Sequence, residues 1–352
     1  MRSQLTAGLM IAAASAAVMT GLAATPKNAL GAIAVSPDGA TVVAAGDNRV
    51  LYVLDPATLE VKNRVYLGVN PYDAFFSKDG ATLALVDTDG NVHLLSSADW
   101  SEKTKITGGT VVALSAGADT FATLSYATSE GDAYKTPLTV YAIGDGSKKL
   151  EASIAGQATA LVAAADGSGY AVMLERKEDA AEKKEDVPAD VTDEAAKAEF
   201  EQKHDGYTTE IVMLDGTGKE TARVTSWYST YDTMVGSYEG GTAYFIGYSN
   251  DNLKIAADGT ASMFKLPPSY LYGIGVGPDG KKIAAGSLRD GTVYDLAAGT
   301  GSTYELDNQE GWPEYFEGFG FAPDGSVYGG TTAYRLAHIG ADGTIIAAKP
   351  VY

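Results

Sequence analysis

Four short segments place tyrosine beside a carboxylate or a proline: Pro71-Tyr72-Asp73, Thr230-Tyr231-Asp232, the run from Pro267 to Tyr272 that holds Ser269 and Tyr270, and Trp312-Pro313-Glu314-Tyr315. An aromatic face is negative and a neighbouring carboxylate adds a full charge, so the pairing suits a cationic ligand or a basic protein side chain. Ser269 and Trp312 add a hydroxyl and a second ring to such a rim. The competing reading is structural, because tyrosine favours strands and its polar tip fits a half-buried edge.

Other chemistry is sparse. The three histidines, His93, His204 and His338, share no ligand spacing and read as structural or solvated, and no HExxH, GxSxG or phosphate-loop pattern occurs. The DTDG at Asp87 to Gly90 lacks glycine at the sixth loop position, which rejects an EF-hand. Glycines 273, 275 and 277 precede a hairpin turn rather than a helix, so they suit close packing. The chain contains no cysteine. Disulfides, thiolate catalysis, cysteine zinc sites and covalent c-type haem are thereby excluded in this chain, and no catalytic, cofactor or metal residue is assigned.

The elements that must position the tyrosines are set by a recurring acidic turn. It appears as SPDG at Asp38, SKDG at Asp79, AGAD at Asp119, AADG at Asp166, SYEG at Glu239, GPDG at Asp279 and APDG at Asp324. The spacings are 41, 40, 47, 73, 40 and 45 residues, and all but one fit a four-stranded propeller blade. An Asp-Gly pair supplies the side-chain bond and positive-φ residue of a tight hairpin, so these acids are turn formers rather than ligands. In the first repeat GAIAV, TVVAAGD, VLYVLD and VKNRVYL give four strands in meander order. The fold class is therefore all-β: a seven-bladed β-propeller of four-stranded antiparallel blades. The segments that lead into each innermost strand then converge on one opening, and Trp227 and Trp312 suit packing between blades. The ring can close by blade packing, or Lys27 to Ala34 can pair with the last blade.

Two segments stand apart. Residues 175–206 interrupt blade four with a charged insertion, twelve acids and six bases from Glu175 to Asp205, read as helical or disordered, with Thr192 and Asp193 as helix starts. A further loop around Ser129 to Lys135 joins the middle strands of blade three. At the other extreme, residues 1–24 place Arg2 before an uncharged alanine-rich stretch and small residues ahead of Thr25-Pro26, which reads as a secretory signal peptide. Residues 25–352 form the propeller, expected in the periplasm or secreted. The formal net charge of −19 disfavours nucleic acid and permits basic partners.

The VLYVLDPATLEV of the first repeat resembles YVTN and quinoprotein-dehydrogenase propellers of bacteria. A narrower stretch from about Gly206 to Leu296, containing TTEIVMLDGTGKETARV, WYSTYDTMV and FKLPPSYLYGIGVGPDGKKIAAGSLRDGTVYDL, is similar to the β subunit of quinohemoprotein amine dehydrogenase. Ser269 and Tyr270 match that family's LPxSY segment with a one-residue gap after Tyr270. The resemblance implies a periplasmic redox complex in which the quinone and haem cofactors belong to partner subunits while the propeller is a scaffold without catalytic residues. This chain carries a full repeat after Leu296, where the family closes with a strand. Beside this stands a stand-alone YVTN-type propeller that binds a protein or surface glycan. A propeller lactonase would need acids and asparagines converging on a metal, and no spaced cluster argues for one.

Overall fold

The computed structural model describes residues 30–131, 133–178, 185–227, 233–268, 270–307 and 313–351. The signal-peptide stretch lies outside the described residues, as do Tyr231, Asp232, Ser269 and Trp312.

Seven antiparallel sheets follow one another in strict chain order, each built on a meander of four strands, to which blades three and four add a short fifth strand, Thr128–Glu130 and Lys177–Glu178. Blade one runs Leu30–Val35, Val42–Gly46, Val50–Leu54 and Val61–Tyr66. Its second strand is buried at every position while its fourth is half-buried only at Val61 and Val65 and otherwise exposed. The difference follows from position: inner strands are covered on both faces by neighbouring blades, whereas the outer edge meets water and carries Lys62 and Arg64, which blunt edge pairing. First strands of adjacent blades pack closely against one another at six of the seven junctions, all but that between blades two and three, which places them innermost.

The apolar core is divided into seven clusters, one at each blade junction. The seventh closes the ring: Leu30, Ile33, Tyr52 and Leu59 of blade one pack on Tyr328, Leu336 and Val351 of blade seven. Among the described residues blade one pairs only within itself, so from Leu30 onward closure uses blade packing and not a shared strand. Among the described residues, hydrogen bonds cross this seam from Tyr328 Oη to the Pro56 carbonyl (3.1 Å) and from Asn48 N–H to Tyr334 Oη (3.1 Å). Backbones approach closely here. A Cβ on Gly318 would lie 1.8 Å from the Gly31 carbonyl oxygen, and one on Gly330 would lie 2.2 Å from that of Leu30.

Five of the seven acidic turns share one geometry. At Asp38, Asp79, Asp166, Asp279 and Asp324 the following glycine is left-handed, with φ between 70 and 85°. The carboxylate accepts the N–H two residues on, at 2.9–3.0 Å. The other two depart from the expected turn. Asp119 is itself left-handed after a 3-10 turn, and its carboxylate accepts Lys78 N–H of blade two at 2.7 Å, while beside Glu239 the turn is made by Gly240 and Gly241. Asp119 has no glycine after it, and Glu239 puts a longer side chain where the short Asp carboxylate caps the other turns. The loop expected near Ser129 to Lys135 is a hairpin extension, with Thr128–Glu130 pairing onto Ala133–Ala142. Within the insertion the helix α1, Glu194–Lys203, starts at Asp193, whose carboxylate accepts Ala196 N–H at 2.9 Å.

The seam contains an acid-sensitive ring. His338 stacks on Tyr328 with centroids 4.3 Å apart, and its Nε2 meets Ser326 Oγ at 3.1 Å. Ser326 donates its own proton to Asp324, so Nε2 carries the histidine proton and the buried Nδ1 is a lone pair with no partner among the described residues. Burial pushes the imidazole below its ordinary value, although Asp324 pulls it upward. The unfolded chain therefore takes up the proton first. Stability should fall as pH drops below about 6.5, and the loss should be complete once pH lies below the folded pKa. Melting temperatures from pH 8 to 5 check this: His338→Phe, which keeps the stack, should show the shallower acid decline, and parallel slopes would count against the assignment.

Candidate functional site

In a four-stranded meander, the loops that cross between blades and the hairpins joining second to third strands lie on one face, here the crossover face. Turns joining first to second and third to fourth strands lie on the other, the turn face. The second-to-third hairpins position the crossover loops. Arg49, Arg289 and Tyr334 are left-handed (φ 63, 63 and 53°), and their carbonyls accept Leu67, Leu306 and Val351 N–H at 2.7–2.8 Å. Left-handed residues turn these carbonyls outward to the departing chain, which repeats the same anchor three times.

Two crossover loops have stronger clamps. Asn250, buried and left-handed (φ 58°), accepts Leu266 N–H on Oδ1 (2.9 Å) and donates Nδ2 to the carbonyls of Leu266 (2.9 Å) and Pro268. That fixes the proline pair ahead of Tyr270. Before blade seven, the fully buried Arg335 donates Nε to Glu314 (2.9 Å) and its guanidinium to the side chain (3.0 Å) and carbonyl (3.2 Å) of Asp307. Glu314 also accepts from Thr331 Oγ1 at 2.6 Å.

The sequence candidates divide accordingly. Tyr270 and Tyr315 come together through Tyr272: ring centroids are 5.4 Å apart from Tyr270 to Tyr272 and 4.4 Å from Tyr272 to Tyr315. Burial, then the neighbouring rings and Glu317, pushes the Tyr272 phenol upward. Tyr72 packs instead on the cluster of Phe75, Phe121 and Ile143 between blades two and three, where desolvation pushes its phenol well above the usual range. Asp73 is exposed and accepts Ala74 N–H at 2.8 Å. Glu314 is only 3 % exposed and neutralised by Arg335, so it offers no negative charge to a ligand.

A broader pattern lies behind Tyr270. Among the described residues, seven large apolar side chains are exposed, and Tyr66, Tyr126, Tyr134, Tyr207, Tyr270 and Leu288 all sit at crossover-face ends of strands or loops. They spread over blades one, three, four and six. Only Ile346, on the outer strand of blade seven, lies elsewhere. The Leu288 backbone bridges to Tyr315, which joins this residue to the tyrosine group. The individual residue types hint at none of this, since exposure depends on what each blade leaves uncovered.

The turn face differs. Each of its fourteen turns carries an acid, from Asp38, Asp79, Asp119, Asp166, Glu239, Asp279 and Asp324 near the axis to Asp55, Asp99, Asp145, Asp215, Asp258, Asp295 and Asp342 outside. Hydrogen bonds from Ser36 and Ala40 hold the Asp38 carboxyl below its ordinary value, and Lys62 and Thr58 hold that of Asp55 at about 2. Asp38 and Asp55 therefore stay ionised well into mild acid.

The insertion contacts the far end of its own blade. Arg176 pairs with Asp205 through two bonds (2.7 and 2.8 Å) and donates to the Trp227 carbonyl (2.7 Å), while Lys203 at the end of α1 lies 4.9 Å from the Trp227 ring centre. Trp227 packs between blades four and five and begins the loop toward blade five. The charged segment thus braces Trp227, which follows the outer strand of blade four and packs toward blade five.

No family model matches the chain, and no curated protein matches it. Its fold is similar to that of 1411 solved chains, too widespread a likeness to assign a role. One, a chain of hydrazine synthase from Kuenenia stuttgartiensis, superposes with a TM-score of 0.56 over 93 % of this chain and 97 % of that one, at 13 % sequence identity. Identity that low shows a shared propeller fold and nothing finer.

Proposed function

We propose that this chain is a non-catalytic propeller of the bacterial envelope that docks a protein partner on its crossover face, as the scaffold subunit of an amine dehydrogenase-type redox complex. The one-sided spread of exposed tyrosines carries this reading, because tyrosine supplies large contact area at low entropic cost and is enriched at interfaces. The LPxSY-bearing stretch supports the amine dehydrogenase part, and a chain without cysteine leaves quinone and haem to partner subunits. The proline-fixed loop holding Tyr270 and the adjoining Leu288 would form the centre of contact.

Gel filtration of the protein isolated from its native host tests the complex. A species well above 36.5 kDa with haem absorbance is expected; a colourless monomer would overturn the redox reading in favour of a stand-alone binding propeller. Within such a complex, Tyr270→Ala and Leu288→Ala should each weaken association by roughly tenfold, as truncation at an interface hot spot does. Ile346→Ser should leave it unchanged. Equal affinity for all three variants would remove the crossover face from consideration.

A further inference from the structure

On the turn face, a groove of about 460 Å³ runs between blades one and two, bounded by Asp38, Asp79, Lys78, Phe76 and Trp100. Blade packing does not use up its aromatic wall. Trp100 is left-handed (φ 61°) at a turn position where blades three to seven place Gly146, Gly218, Gly259, Gly299 and Gly343. Blade one puts Leu59 there, wholly buried in the seam, but Trp100 is half-buried and lines the groove, as does Phe76. Another groove on this face, between blades six and seven, encloses about 310 Å³ and has no aromatic wall.

The two carboxylates are fixed by their own turns. Asp38 Oδ1 accepts Ser36 Oγ (2.6 Å) and Ala40 N–H (3.0 Å), and Asp79 Oδ1 accepts Ser77 Oγ (2.6 Å) and Ala81 N–H (2.9 Å). These bonds occupy one oxygen of each group and leave its charge facing solvent beside the rings. Aromatic faces next to fixed carboxylates favour a cation with an apolar stem.

We propose that this groove binds an alkylammonium group, its methylenes against Phe76 and Trp100 and its charge between Asp38 and Asp79. The group can belong to a free primary amine or to a lysine side chain of a protein. Lys78, exposed on the same groove, opposes the charge and sets affinity.

The site is independent of the crossover face and is tested on the isolated protein. In 1H–15N spectra the Trp100 indole signal, identified by its loss in Trp100→Phe, should shift saturably with n-butylammonium chloride and not with 1-butanol at matched concentration. Asp38→Asn with Asp79→Asn should weaken binding at least roughly tenfold while preserving the turn bonds, since asparagine also caps. Lys78→Gln should tighten it. A second arm uses the capped peptide acetyl-Gly-Lys-Gly-amide: tighter binding than n-butylammonium assigns the groove to protein lysines, and equal or weaker binding assigns it to free amines. An unmoved indole signal, an equal response to 1-butanol, or unaltered affinity in the double variant would overturn the proposal.

Discussion

Gly318→Ala is expected to stop the ring from closing. The added methyl carbon would sit 1.8 Å from the Gly31 carbonyl oxygen, about half of an ordinary contact distance. Both sides of the clash are backbone: Gly318 lies in the innermost strand Phe316–Phe321 of blade seven and Gly31 in Leu30–Val35 of blade one. No side chain can rotate away, so relief requires moving one blade from the other and opening the cluster around Leu30, Tyr328 and Leu336. Loss of more than about 4 kcal/mol is the scale of such core disruptions. Soluble yield and the far-ultraviolet circular dichroism melt read the result, with Gly144→Ala as the control because no atom lies within 4 Å of its Cβ. A Gly318→Ala melt matching that of the control would show that blades one and seven do not meet as described.

Arg335→Met should destabilise by about 3–5 kcal/mol, the range found when one partner of a buried ion pair is removed. Arg335 is 1 % and Glu314 3 % exposed. Removing the guanidinium strands a carboxylate whose remaining partner among the described bonds is Thr331. Arg335 also holds the Asp307 carbonyl, so the loop between Asp307 and Glu314 loses both of its ends. Adding Glu314→Gln should recover most of the loss, because the pair then costs no buried charge. Chemical denaturation of both variants against the parent gives the comparison. Equal stability of the single and double variants would mean that Glu314 was never dependent on Arg335.

The double variant also isolates why the sequence misleads at Glu314. In WPEY it stands beside tyrosine like a rim acid, but its cation comes from Arg335, twenty-one residues later in the third strand of blade seven. Nothing local announces a partner at that distance. Blade number was legible for the opposite reason: Asp38-Gly39 and its counterparts encode their hairpins within four residues, and the helix start at Asp193 is equally local. Tyr66 and Leu288 fell between these cases. Their residue types are ordinary for strands and hairpins, and only the assembled ring shows that both remain uncovered on the same side. Tyr72 has the same neighbours in sequence as a rim tyrosine, yet the blade junction beside Phe121 takes it in.

Leu30 and Val351 share the single cluster that closes the ring. Both strands reach that point at their crossover-face ends, so whatever polypeptide is joined to either end emerges beside the exposed tyrosines. Affinity tags, fluorophores and surface-tethering linkers fused there would hang over the surface proposed to receive a partner. Immobilisation through the acidic hairpins on the opposite side, for example at Ala40 or Ser168, would instead leave that surface facing the solution.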